Sequence, residues 1–87
     1  MLVLMNYLKD YKMKTAEKLA LSLELGENPA DYYNYIVESF VNGQKTQCVD
    51  LYKRMVKKDR ITFLTNFLDE RDYYHNETRD LIIRNTL

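Results

Sequence analysis

Two side chains in this 87-residue sequence have the intrinsic reactivity for nucleophilic or metal chemistry, Cys48 and His75, and each is the sole residue of its type. Nucleophilic catalysis needs a thiol or hydroxyl beside a base that takes its proton. Cys48 falls on an apolar stripe with Val49, Tyr52, Met55 and Val56, where a thiol serves as a small core hydrophobe. His75 falls in the first turn of a late helix and reads as a surface imidazole. One Cys and one His do not make a structural zinc site. The carboxylates Asp69, Glu70 and Asp72 lack the spacing of a calcium loop and enclose Arg71. No glycine-rich phosphate cradle is present. The sequence thus predicts no enzyme, no cofactor and no metal.

Chemistry of recognition is better represented. There are eight tyrosines and no tryptophan. A small core does not hide eight phenols, and exposed tyrosines give rigid contact area with a polar tip. Tyr32 and Tyr35 fall off the Ile36/Phe40 stripe, and Tyr73 falls off a Tyr74/Leu81 stripe, so these three are the expected partner-binding anchors. Lys53, Arg54, Lys57 and Lys58 form a basic run beside them, an expected rim that steers an acidic partner.

Helices must position these groups. The sequence contains only two glycines and one proline, and between them apolar residues recur at helical spacing. Asn28-Pro29-Ala30-Asp31 signals a helix start, with Asn28 as cap and Pro29 in the first turn. Tyr33, Ile36, Val37, Phe40 and Val41 predict the buried face of that helix, which Asn42-Gly43 ends. A second helix is expected over 45–57. Asp59 then caps a third, with Ile61, Leu64, Phe67 and Leu68 inward and Phe63 nearby. Asp72 or Asn76 opens the last, with Tyr74, Thr78, Leu81 and Ile82 on one stripe. Residues 2–25 read as helices over 2–12 and 16–25 with Thr15 as a cap between them, or as one long helix, with Gly26 the terminator. Met13 is an alternative start, which would make residues 1–13 an N-terminal extension. The predicted fold is all-α, a compact single-domain bundle of four to five short helices.

Thirteen basic and thirteen acidic residues cancel, so long-range attraction to a phosphate backbone is small. The apolar start is cut short by Asn6, Lys9 and Asp10, which argues against a secretion signal or membrane span. A lone cysteine and no export signal place the chain in a reducing cytoplasm.

The run Ile36-Val37-Glu38-Ser39-Phe40-Val41-Asn42-Gly43-Gln44, the basic helix ending at Met55, and Asp59-Arg60-Ile61-Thr62-Phe63-Leu64 together resemble the small all-helical proteins of phages and mobile elements. The likeness spans residues 30–70. Members of that class inhibit host defence nucleases, including CRISPR effectors, or regulate host machinery, so the resemblance implies a host protein as partner and the host cytoplasm as location. The first expectation is a non-catalytic protein-binding module of inhibitor or adaptor type. The second is a helix-turn-helix-like nucleic-acid-binding regulator, with Gln44, Lys45, Thr46 and Gln47 toward the nucleic acid. The third is a structural protein whose tyrosine patch closes a homodimer.

Overall fold

The computed structural model describes residues 13–86. The readings for residues 1–12, including a helix over 2–12, lie outside the described residues. Five helices follow one another: α1 (Ala16–Ser22), α2 (Pro29–Val41), α3 (Lys45–Lys53), α4 (Lys57–Thr62), which runs on as a π-helical turn (Phe63–Phe67), and α5 (Tyr73–Thr86). There is no strand among the described residues. An isolated parallel bridge pairs Lys14 with Met55. Residues 13–15 are not helical, and Thr15 is extended, with its hydroxyl accepting from the Lys18 amide at 3.2 Å. One continuous helix through 2–25 is therefore excluded, and Thr15 is the cap.

Helix α2 is the axis of the bundle. It packs on α1, α3, α5 and the π turn. Its buried residues are Tyr32, Tyr33, Ile36, Val37 and Ser39, so two adjacent stripes face inward rather than the single one expected. Val41, expected inside, is exposed, while Ser39 is buried and Phe40 packs against the core in the same turn. At its start the Asp31 carboxylate accepts from the Asn28 amide at 3.1 Å. At its end Gly43 (φ +81°) turns the chain back, with the Gly43 and Gln44 amides bonded to the Phe40 and Ser39 carbonyls, the pattern of a Schellman motif.

The end of α1 corrects the expectation. The helix stops at Ser22, and Glu24 takes the left-handed helical conformation (φ 58°) at its end, while Gly26 has a positive φ of +152° as well. The Glu24 and Leu25 amides reach back to the Leu21 and Ala20 carbonyls, again a Schellman motif. Gly26 is small for another reason. A Cβ there would sit 2.1 Å from the Asp31 carboxylate that holds the start of α2.

Helix α3 ends at Lys53, not at 57, because residues 54–56 leave it to pair with Lys14. Asp59 does not cap α4. It lies in that helix's first turn, and its carboxylate accepts from the Ala16 amide at 2.7 Å, so it holds the start of α1, 43 residues away. Ile61, expected inside, is half exposed (50%). Its place is taken by Phe63, which is fully buried. The π turn acts after Phe63: the Leu68 amide bonds the Phe63 carbonyl five residues back, which brings Phe63 and Leu68, both buried, to the same side, with Phe67 stacked on Phe63 at 5.8 Å. Tyr33 and Tyr52 complete the cluster, with ring centroids 5.5 and 6.0 Å from Phe63. The Arg79 guanidinium donates to the Leu64 and Leu68 carbonyls at 3.0 and 3.2 Å, satisfying acceptors that the end of the π turn leaves open. In α5, Thr78, Leu81 and Ile82 are buried as expected, whereas Tyr74 is not.

Candidate binding surface

The three expected anchor tyrosines meet three different fates. Tyr32 has 0% exposure, and its hydroxyl donates to the Leu51 carbonyl. It is a buried strut between α2 and the end of α3, and the expectation that it faces a partner is corrected. The cause is the two-sided burial of α2: α1 and α3 cover the flank that a one-stripe reading leaves in water. Tyr35 is half-buried. Tyr73 is 69% exposed, and the edge of one ring meets the face of the other in its pair with Tyr74, centroids 5.3 Å apart. The echo between Asp31-Tyr32-Tyr33 and Asp72-Tyr73-Tyr74 hides a change of register. Asp31 sits in the third position of its helix, while Asp72 precedes its helix and accepts from the His75 amide at 3.1 Å. The same residues therefore enter different turns, one pair inward and one outward.

Lys53, Arg54, Lys57 and Lys58 are all exposed. Among the described residues the one ion pair is Asp69 with Arg71, at 3.1 Å, so none of the four is neutralised by a described carboxylate. The bridge adds a cation that spacing did not suggest. The Lys14 amide donates to the Arg54 carbonyl at 2.9 Å, and the Val56 amide donates to the Lys14 carbonyl at 3.0 Å, which brings exposed Lys14 beside the same segment. A pairing across some 40 residues of sequence leaves no local signal. The cations do not share one face. Arg54 lines a groove with Tyr35, Lys53 lines another with Leu81 and Asn85 of α5, and Lys58 lines a third with Thr15 and Glu17.

The Tyr35 groove, open and about 380 Å³, is bounded by the end of α1, by α2 and by α3; Leu23, Gln47, Asp50, Leu51 and Arg54 line it with the phenol. Its geometry is fixed by a small polar network. The Gln47 side-chain amide donates to the Ser39 hydroxyl at 2.9 Å and approaches the Tyr35 oxygen at 3.3 Å and Gln44 Oε1 at 3.2 Å. Ser39 in turn donates to the Tyr35 carbonyl at 2.9 Å. Of the pieces expected to matter, the structure brings together Tyr35 and Arg54, expected toward a protein, with Thr46 and Gln47, expected toward nucleic acid. Gln47 is instead absorbed into holding Tyr35; Lys45 and Thr46 are exposed.

Cys48 is fully buried, and burial pushes its thiol up to about 11, so it is a neutral core side chain at ordinary pH. His75 Nδ1 accepts from the Asp69 amide at 2.9 Å while the ring stacks on Phe67 at 5.6 Å, which fixes the imidazole as a loop support. Among the described residues no three His, Cys, Asp or Glu side chains are grouped to hold a metal, and no helix is long and apolar enough to cross a membrane. No family model matches this chain, and neither a curated protein nor a solved structure shows significant similarity to it.

Proposed function

We propose that this chain is a non-catalytic protein-binding module that acts by covering a partner's surface. The observation that carries the reading is the groove that half-buried Tyr35 and exposed Arg54 line together, with the Gln47 amide reaching the Tyr35 hydroxyl at 3.3 Å. A half-buried aromatic next to an arginine is the residue pair that dominates protein interfaces, and rigid placement lowers the ordering cost of binding. Lys53, Lys57 and Lys58, exposed outside the groove, add long-range steering charge, and Tyr73 offers a second contact on α5. The resemblance of residues 30–70 to phage-type helical proteins supports an inhibitor or adaptor directed at a host protein, a CRISPR nuclease being one such target.

A second reading, a nucleic-acid-binding regulator, draws on the unpaired cations. It is less well supported, because Gln47 is occupied and the cations diverge into separate grooves. A third, self-association through Tyr73 and Tyr74, is separated by the mass of the protein in solution.

The test is affinity capture from host extract with and without nuclease, using the native chain and a Tyr35→Ala/Arg54→Glu variant. The expected result is one protein retained by the native chain after nuclease treatment and lost with the variant. Retention of nothing but nucleic acid, or equal retention by both chains, would sink the reading.

A further inference from the structure

We infer that the Tyr35 groove receives a carboxylate-bearing side chain of an acidic protein segment, with Arg54 and the Tyr35 hydroxyl as its donors. This rests on the protein-binding reading above and names the chemistry of the partner. The two hydrogens of the Gln47 amide have three acceptors within reach, Ser39 at 2.9 Å, Gln44 at 3.2 Å and the Tyr35 hydroxyl at 3.3 Å, and among the described residues no acceptor takes the Tyr35 proton. Arg54 lines the same groove, is exposed and has no described carboxylate partner. One hydroxyl and one guanidinium converging on an open groove make a donor pair for a carboxylate, and hydrogen bonds to a charged acceptor are the stronger class. Leu23 and Leu51 line the groove as well, which suits the aliphatic stem of an acidic side chain.

Asp50 lines the same groove and repels any anion that approaches it, phosphate and carboxylate alike. A peptide meets this by turning a backbone N–H to Asp50 while its acidic side chain faces Arg54; a single strand has to use a base amino group for the same purpose. Among the described residues Arg54 is the one cation lining the groove, and with Leu23 and Leu51 beside it the setting suits one carboxylate on an aliphatic stem better than a run of phosphates.

The experiment titrates the isotopically labelled full chain with three probes, read by backbone and arginine side-chain NMR signals. The probes are a synthetic peptide of alternating Glu and Leu, its Gln counterpart, and a single-stranded oligonucleotide of equal charge. The Glu peptide is expected to move the signals of Leu23, Gln47 and Arg54 and to bind roughly tenfold more tightly than the Gln peptide, the scale of a hydrogen bond to a charged group. Tyr35→Phe is expected to weaken it about threefold and Arg54→Gln about tenfold, with the spectra of both variants showing the native fold. Equal binding of the two peptides, shifts confined to Lys57 and Lys58, tighter binding of the oligonucleotide in the groove, or no shift at millimolar peptide would each overturn the inference. If the native chain nonetheless captures a protein from extract through Tyr35 and Arg54, only the carboxylate assignment falls; if that capture fails as well, the binding-module reading falls with it.

Discussion

Glu24 and Gly26 show how a single turn divides its demands between residues. Glu24 takes the positive φ at the end of α1, where a side chain costs about 1–2 kcal/mol relative to glycine. Gly26 keeps space for the Asp31 carboxylate. Glu24→Gly is therefore expected to stabilise the fold by about 0.5–1 kcal/mol after the added freedom of the unfolded chain is counted. Gly26→Ala is expected to destabilise it by about 1–3 kcal/mol, since Asp31 must swing away and leave the Asn28 amide. Urea midpoints of the two variants check this, and opposite signs are the result required. Cys48 gives a pH prediction. Its folded thiol ionises near 11 against an ordinary value of 9.0. The stability that accompanies the neutral thiol is complete below about pH 9 and lost as pH rises toward 11, because the unfolded chain releases a proton that the folded chain keeps. The slope reaches about 1.4 kcal/mol per pH unit. Burial also raises Tyr33 and Tyr52 from 10.0, so the loss continues at higher pH. Unfolding midpoints measured from about pH 8 to pH 10.5 should fall, and Cys48→Ala should flatten the first part of that fall.

At the scale of elements, much was legible. Asn28-Pro29 and Asn42-Gly43 bracket α2, Thr15 caps α1, and Thr78, Leu81 and Ile82 mark the inner face of α5, because caps and periodicity act within a few residues. What was not legible depends on distant partners. Asp59 has the position of a local cap but serves the Ala16 amide. The π turn brings Leu68 to the same buried side as Phe63, five residues earlier, and no residue type announces it. Burial of α2 on two sides moved Tyr32 from surface to core, while the groove joins Tyr35 and Arg54, expected toward a protein, to Thr46 and Gln47, expected toward nucleic acid, a meeting that no local pattern announces. Tyr32 now has a different expected behaviour. Tyr32→Phe removes one of two donors to the Leu51 carbonyl near the end of α3, leaving the longer bond from the Arg54 amide at 3.3 Å, which should cost about 0.5–1.5 kcal/mol of stability. It should leave binding in the Tyr35 groove unchanged. A peptide affinity that falls along with the unfolding midpoint would mean that the strut and the groove are coupled through Leu51, which belongs to both.

For the whole molecule, the sum of charge says less than its arrangement. The net charge is zero, yet Lys14, Lys53, Arg54, Lys57 and Lys58 surround one short connection while Asp59 is turned inward to Ala16. Two uses of such a region differ in how many cations they engage at once. A polynucleotide draped over four of them releases about four counterions, and its affinity should drop roughly a hundredfold between 50 and 200 mM salt. A protein segment seated in the Tyr35 groove uses Arg54 at short range and leaves Lys53 and Lys58 in their separate grooves, so its affinity should drop less than about tenfold over that range, chiefly through slower association. Lys57→Glu with Lys58→Glu then becomes informative. In the groove-bound case the double reversal slows association and leaves dissociation nearly unchanged, because neither side chain lines the Tyr35 groove. In the draped case it speeds dissociation too, because the cations are themselves the contacts. Association and dissociation rates of the captured partner, measured at two salt concentrations for the native and reversed chains, separate the two, and a faster dissociation from the reversed chain would move the interface from the groove to the lysines.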